Sequence, residues 1–76
     1  MKELLEVMIK GLVDHKDQVS VEETVTKDTI VLSVKVAQAD MGQVIGKQGK
    51  MAKSIRSVMK AVASKEHKKI NVEFVG

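Results

Sequence analysis

At 76 residues and 8.3 kDa, with no cysteine and no proline, the chain has the length of one domain and can build neither disulfides nor thiolate metal sites. Apolar residues make up 43% and charged ones 30%, a globular balance, yet Phe74 is the only aromatic, which argues against folds that stack bases on aromatic side chains, such as RRM and cold-shock domains. The net charge of +3 hides a division: residues 1–40 carry five lysines against eight acids, and residues 41–76 carry eight cations against Glu66 and Glu73, with no acid from Met41 to Lys65. A half-chain polarised in this way suits a polyanionic partner.

The opening MKELLEVMIKGL places Leu4, Leu5, Met8, Ile9, Leu12 and Val13 at helical spacing, which predicts an amphipathic helix over residues 2–13. Its interleaved charges fit neither a signal peptide nor a membrane span of about 18 apolar residues, so with cysteine also absent a cytoplasmic location and no membrane partner are expected. Residues 18–26 put Val19, Val21 and Val25 on one side with Glu23 interrupting, the pattern of an edge or bulged strand. Lys27-Asp28 is a turn. Residues 29–37 alternate Ile30, Leu32, Val34 and Val36 against Val31, Ser33, Lys35 and Ala37, completing a hairpin with one buried face.

Asp40 followed by Gln43 reads as a capping box opening a short helix, Met41 to Ile45, which Gly46 ends through the left-handed region. Ala52, Ile55, Met59, Val62 and Ala63 then recur at helical spacing, and residues 69–75 alternate Ile70, Val72 and Phe74 as a last strand. The order α-β-β-α-α-β predicts an α+β fold: a two-layer sandwich with a three-stranded sheet and three helices on one face. With no internal repeat or linker, residues 1–76 are expected to form one domain.

The chemistry concentrates in VIGKQGKMAKSIR, residues 44–56. A turn leaving one helix at Gly46 and entering the next near Gly49 exposes backbone N–H groups with no Cβ in the way, at the positive end of a helix dipole. Lys47 and Lys50 add mobile charge there, and Lys53, Arg56 and Lys60 continue it as a cationic stripe beside the apolar one. A phosphate-gripping loop is the functional reading; a tight helical corner with a solvated basic face is the plain one. The loop is no triphosphate P-loop, because Gly42 and Gly46 are one residue too close and Gln48 follows Lys47. His15 and His67 read as exposed surface residues, no serine has a His/Asp constellation near it, and Glu22-Glu23 looks like a solvated strand edge. No enzyme, cofactor or metal site is expected.

Val44-Ile45-Gly46-Lys47-Gln48-Gly49, with Ala52 and Ile55 beyond, resembles the V-I-G-x-x-G-x-x-I-x-x-I signature of KH domains, and the element order is that of the type II, or prokaryotic, KH fold. Over nearly the whole chain it is similar to the small stand-alone bacterial KH proteins of the KhpA (YlqC) family. The resemblance implies binding of single-stranded RNA, with the G-x-x-G loop clamping the backbone of about four nucleotides over an aliphatic floor. It assigns Gly46, Lys47, Gln48 and Gly49 to phosphates and sugars and makes Val44, Ile45 and Ile55 the floor; the charge pattern itself adds Lys50, Lys53 and Arg56 as flanking cations. The second strand, near Val34 to Val36, becomes the far wall. Ala52 stands where the signature has a larger aliphatic, which implies an altered base pocket. The resemblance also implies a homodimer, or a heterodimer with a second, larger KH protein of the KhpB kind, acting as an RNA chaperone or post-transcriptional regulator. The alternative is a module that only recruits another protein, through its first helix or an open sheet face bearing Val31, Ala37 and Val75, with five methionines suited to adaptable contacts.

Overall fold

In a computed structural model describing residues 1–75, the N-terminal apolar spacing forms helix α1 (Lys2–Lys10), which ends earlier than the periodicity predicts. Gly11 remains right-handed at φ −72°, Leu12 N–H bonds to Ile9 O at 2.9 Å, and Val13 still reaches the core from the turn. Leu5 and Ile9 are fully buried, whereas Leu4 and Val7 face outward. A one-turn 3-10 helix (Lys16–Gln18) then delays the first strand, β1 (Ser20–Val25).

Strand β1 pairs antiparallel with β2 (Thr29–Lys35), residue for residue from Ser20↔Lys35 to Val25↔Ile30, so no bulge forms. It lies at the sheet edge, as expected. Of its core-side residues only Val21 is buried; Glu23 and Val25 are exposed because no helix covers that end of the edge strand. Thr26 N–H bonds to Thr29 O at 2.8 Å and closes the turn at Lys27-Asp28.

The central strand β2 sends Ile30, Leu32 and Val34 into the core, and it pairs in parallel with β3 (Lys69–Val75), from Thr29↔Lys69 to Lys35↔Val75. A parallel pair needs a long crossover, and residues 36–68 supply it. They contain a 3-10 turn (Gln38–Asp40), α2 (Met41–Ile45), a second such turn (Lys47–Gly49) and α3 (Lys50–Lys65). Val44 from α2 and Ala52, Ile55, Met59 and Ala63 from α3 join the residues of α1 over the sheet, so three helices share one face. The opposite face carries Glu22, Thr24, Asn71 and Glu73, with a hollow lined by Ser20, Glu22, Ser33, Val34, Lys35 and Val75. Val31 and Ala37 are half-buried there, and Val75 is half exposed. The α+β two-layer sandwich with α-β-β-α-α-β order is therefore the observed architecture. Among the described residues no helix is long and apolar enough to cross a membrane, and no three metal-ligating side chains gather.

One local expectation is replaced. Asp40 stands at the N-cap of α2 but makes no capping bond: its backbone is already helical at φ −95°, ψ −7°, because the preceding 3-10 turn runs straight into the helix. Its carboxylate instead accepts the His15 backbone N–H at 3.0 Å and lies 2.9 Å from His15 Nδ1. Asp40 is the one charged residue buried among the described residues, and this clamp ties the linker after α1 to the start of α2. His15, expected as a free surface residue, is half exposed and held by the same contact. Burial opposes ionisation of Asp40, but the His15 amide and ring, helped by the Asp14 amide, outweigh it and hold the carboxyl below the ordinary 3.8.

A depressed carboxyl pKa contributes stability above the ordinary value and loses it as pH falls through the folded one. Asp40→Asn is expected to lower the urea midpoint near neutral pH, and the gap from the parent protein narrows as pH drops below 3.8. A gap of constant size down to about pH 2.5 contradicts the clamp.

Candidate nucleic-acid interface

Three of the four residues joining α2 to α3 have positive φ: Gly46 (76°), Gln48 (56°) and Gly49 (75°). Gly46 departs from the expected left-handed helix exit, since its ψ of 178° puts it in an extended region that only glycine enters readily. A Cβ on Gly46 would sit 2.6 Å from Met51 Cβ and 2.9 Å from Met51 N, so α3 passes directly over the end of α2. Gly49 is left-handed at ψ 12° and meets nothing within 4 Å where its Cβ would be; conformation, not crowding, requires it. Gly46 N–H closes α2 on Gly42 O at 2.9 Å, and Gly49 N–H returns to Gly46 O at 3.3 Å.

No side chain caps α3, whose sixteen residues point the positive end of their dipole at this turn. Lys47, Gln48, Lys50, Lys53 and Lys60 are exposed around it. Ile45 and Met51 are half-buried and give the loop an apolar shoulder; nothing in the spacing singled out Met51. The arrangement offers backbone donors, mobile ammonium groups and a shallow apolar ledge to an extended anion.

Two of the residues expected to form the floor are buried. Val44 is 0% and Ile55 2% exposed, so both support the loop from inside the core, and of the three only Ile45 reaches the surface. Ala52 is 3% exposed and likewise belongs to the core packing. Val34 and Val36 on the central-strand segment are buried, and the strand open at the sheet edge beside α3 is β3, with Ile70 and Phe74 half-buried. Parallel pairing of β2 with β3 puts β3 at that edge, and strand order is not written in the alternation of either strand.

Arg56 departs from the mobile stripe. Its Nε–H donates to Val72 O at 3.2 Å, and its guanidinium carbon lies 5.2 Å from the centre of the Phe74 ring. It leans across the boundary between α3 and β3 while Lys53 and Lys60 stay free in solvent.

Fold and loop together define a KH domain of type II topology, a class of binding module and not of enzyme. The model of the KhpA/KhpB KH domain matches residues 2–74, and the chain belongs to that family. Over 75 residues it is 53% identical to the RNA-binding protein KhpA of Clostridium acetobutylicum and 52% identical to that of Clostridium perfringens, in each case covering 99% of this chain and 100% of the relative. The RNA-binding protein KhpA of Listeria monocytogenes is 43% identical, covering 99% of both chains.

The two glycines answer to different constraints, and their alanine variants separate them. Gly46→Ala meets Met51 as well as a glycine-only backbone region and is expected to cost about 3–5 kcal/mol in urea denaturation. Gly49→Ala pays only for left-handed backbone, about 1–2 kcal/mol. Equal losses contradict the crowding at Gly46.

Proposed function

We propose that residues 1–76 act as one KH domain that binds short single-stranded RNA, gripping its backbone at the loop of Gly46, Lys47, Gln48 and Gly49. The observation that carries this reading is the loop's backbone: three positive φ angles open it, and no acid occurs anywhere from Met41 to Lys65 to compete for a phosphate. Lys50 and Lys53 extend the positive field along α3, Ile45 supplies the exposed apolar ledge, and Val44 and Ile55 hold that ledge in place from the core. Arg56 completes the surface toward β3. Membership of a family whose relatives are named RNA-binding proteins fits the same reading.

A grip on about four nucleotides without aromatic stacking gives modest affinity. The domain therefore works as a homodimer or beside a larger KhpB-like KH protein, where a second groove adds avidity. Exposed Leu4, Val7 and Val58 are apolar surface for such a contact. We place this assembly in the cytoplasm, as an RNA chaperone or post-transcriptional regulator.

With about four phosphates neutralised, the slope of log K against log salt is expected near −3, at about −0.7 per contact. Replacing Lys47 and Gln48 together by Asp sets two negative charges against the phosphate, leaves both glycines in place, and is expected to abolish binding of short single-stranded RNA. Binding equal to that of the parent rules out the clamp. Sedimentation at micromolar concentration is expected to show a dimer or a co-purifying larger partner; a strict monomer without one counts against the assembly.

A further inference from the structure

Twelve of the thirteen cations are lysines, and the chain has one arginine and one aromatic residue; the fold brings those two together. An ammonium on a flexible stem suits a phosphate as a point charge, whereas a guanidinium is a planar fork whose value lies in its orientation. Arg56 has that orientation fixed twice. Its Nε–H is committed to the Val72 carbonyl at 3.2 Å, and the Phe74 ring lies under it at 5.2 Å. The residue is nonetheless exposed, and among the described residues no carboxylate pairs with it. Arg56 lies seven residues past Gly49, about 10 Å along the α3 axis, and it leans toward the edge strand. That distance is about the span of two nucleotides of an extended strand.

Resting on the RNA-binding reading above, we propose that Arg56, seated on Phe74 and Val72, reads a base instead of a phosphate. Its terminal nitrogens form two parallel donors, which match a base edge with two adjacent acceptors. Guanine presents O6 and N7, and cytosine presents N3 and O2. Adenine and uracil alternate donor and acceptor on the corresponding edges and leave one donor unmatched. The groove therefore prefers guanine or cytosine at the nucleotide beside α3, and Phe74 acts as the positioning residue that holds the fork in plane.

Fluorescence anisotropy with uridine heptamers carrying a single central G, C, A or U tests this. The parent protein is expected to bind the G and C heptamers at least about fivefold tighter than the A and U ones, the lower end of what a bidentate arginine discriminates. Arg56→Lys keeps the charge but loses the fork, so the four affinities are expected to converge to within about twofold, with a melting curve confirming that the variant is folded. Phe74→Leu keeps the arginine and removes its seat, and is expected to weaken the same preference. Equal binding of all four by the parent, or a preference that survives Arg56→Lys, overturns base reading by Arg56. A parent that binds none of the heptamers overturns the RNA-binding reading itself, and this inference with it.

Discussion

The close passage of α3 over Gly46 is the constraint on which the rest of the surface depends. With 2.6 Å between Met51 Cβ and the place where a Gly46 Cβ would be, the two helices meet at a corner that only a residue without a side chain can occupy. That corner spares the chain a longer connection and keeps the loop next to the start of α3, with the Gly46 and Gly49 N–H groups bonded to Gly42 O and Gly46 O. It also sets the angle at which α3 leaves, and through α3 the positions of every lysine on its outer face. Val44 and Ile55 fill the interior directly beneath, which makes the corner part of the core and not a flexible appendage.

Two further anchors hold this corner to the sheet from either side. The Asp40–His15 clamp pins the start of α2 to the linker that leads into β1, and Arg56 pins the outer flank of α3 to the edge strand β3. A five-residue helix such as α2 has little stability of its own; its placement comes from these contacts and from Val44. The charge around the loop is then of two physical kinds. The lysines contribute mobile point charges, while the arginine contributes a planar guanidinium held against β3 by Val72 O and the Phe74 ring.

Much of this was legible from the sequence where a single element carries the signal. The alternation of residues 29–37, the spacing of Ala52, Ile55, Met59 and Ala63, and the glycine pair each gave an element or a turn at nearly its observed limits. What escaped were pairings between elements distant in sequence. Asp40 had a local partner in Gln43 that looked sufficient, and the partner it uses, His15, lies twenty-five positions away. Arg56 counts as one more stripe cation until β3 is known to lie beside α3, sixteen positions on at Val72. Ile55 and Val44 sit in the motif, and their burial in the core is something the motif does not encode. Glu23 broke the pattern of β1 without a bulge, because the helices cover that strand at Val21 and not at its far end.

Backbone amide chemical shifts during titration with a short single-stranded RNA report on each residue of the loop separately. A backbone grip at the loop gives saturable shifts largest at Gly46, Lys47, Gln48, Gly49 and Lys50, weakening along α3 past Arg56 and absent from Glu22 and Ser33 on the open sheet face. Shifts centred on that face, with the loop amides unmoved, would contradict it.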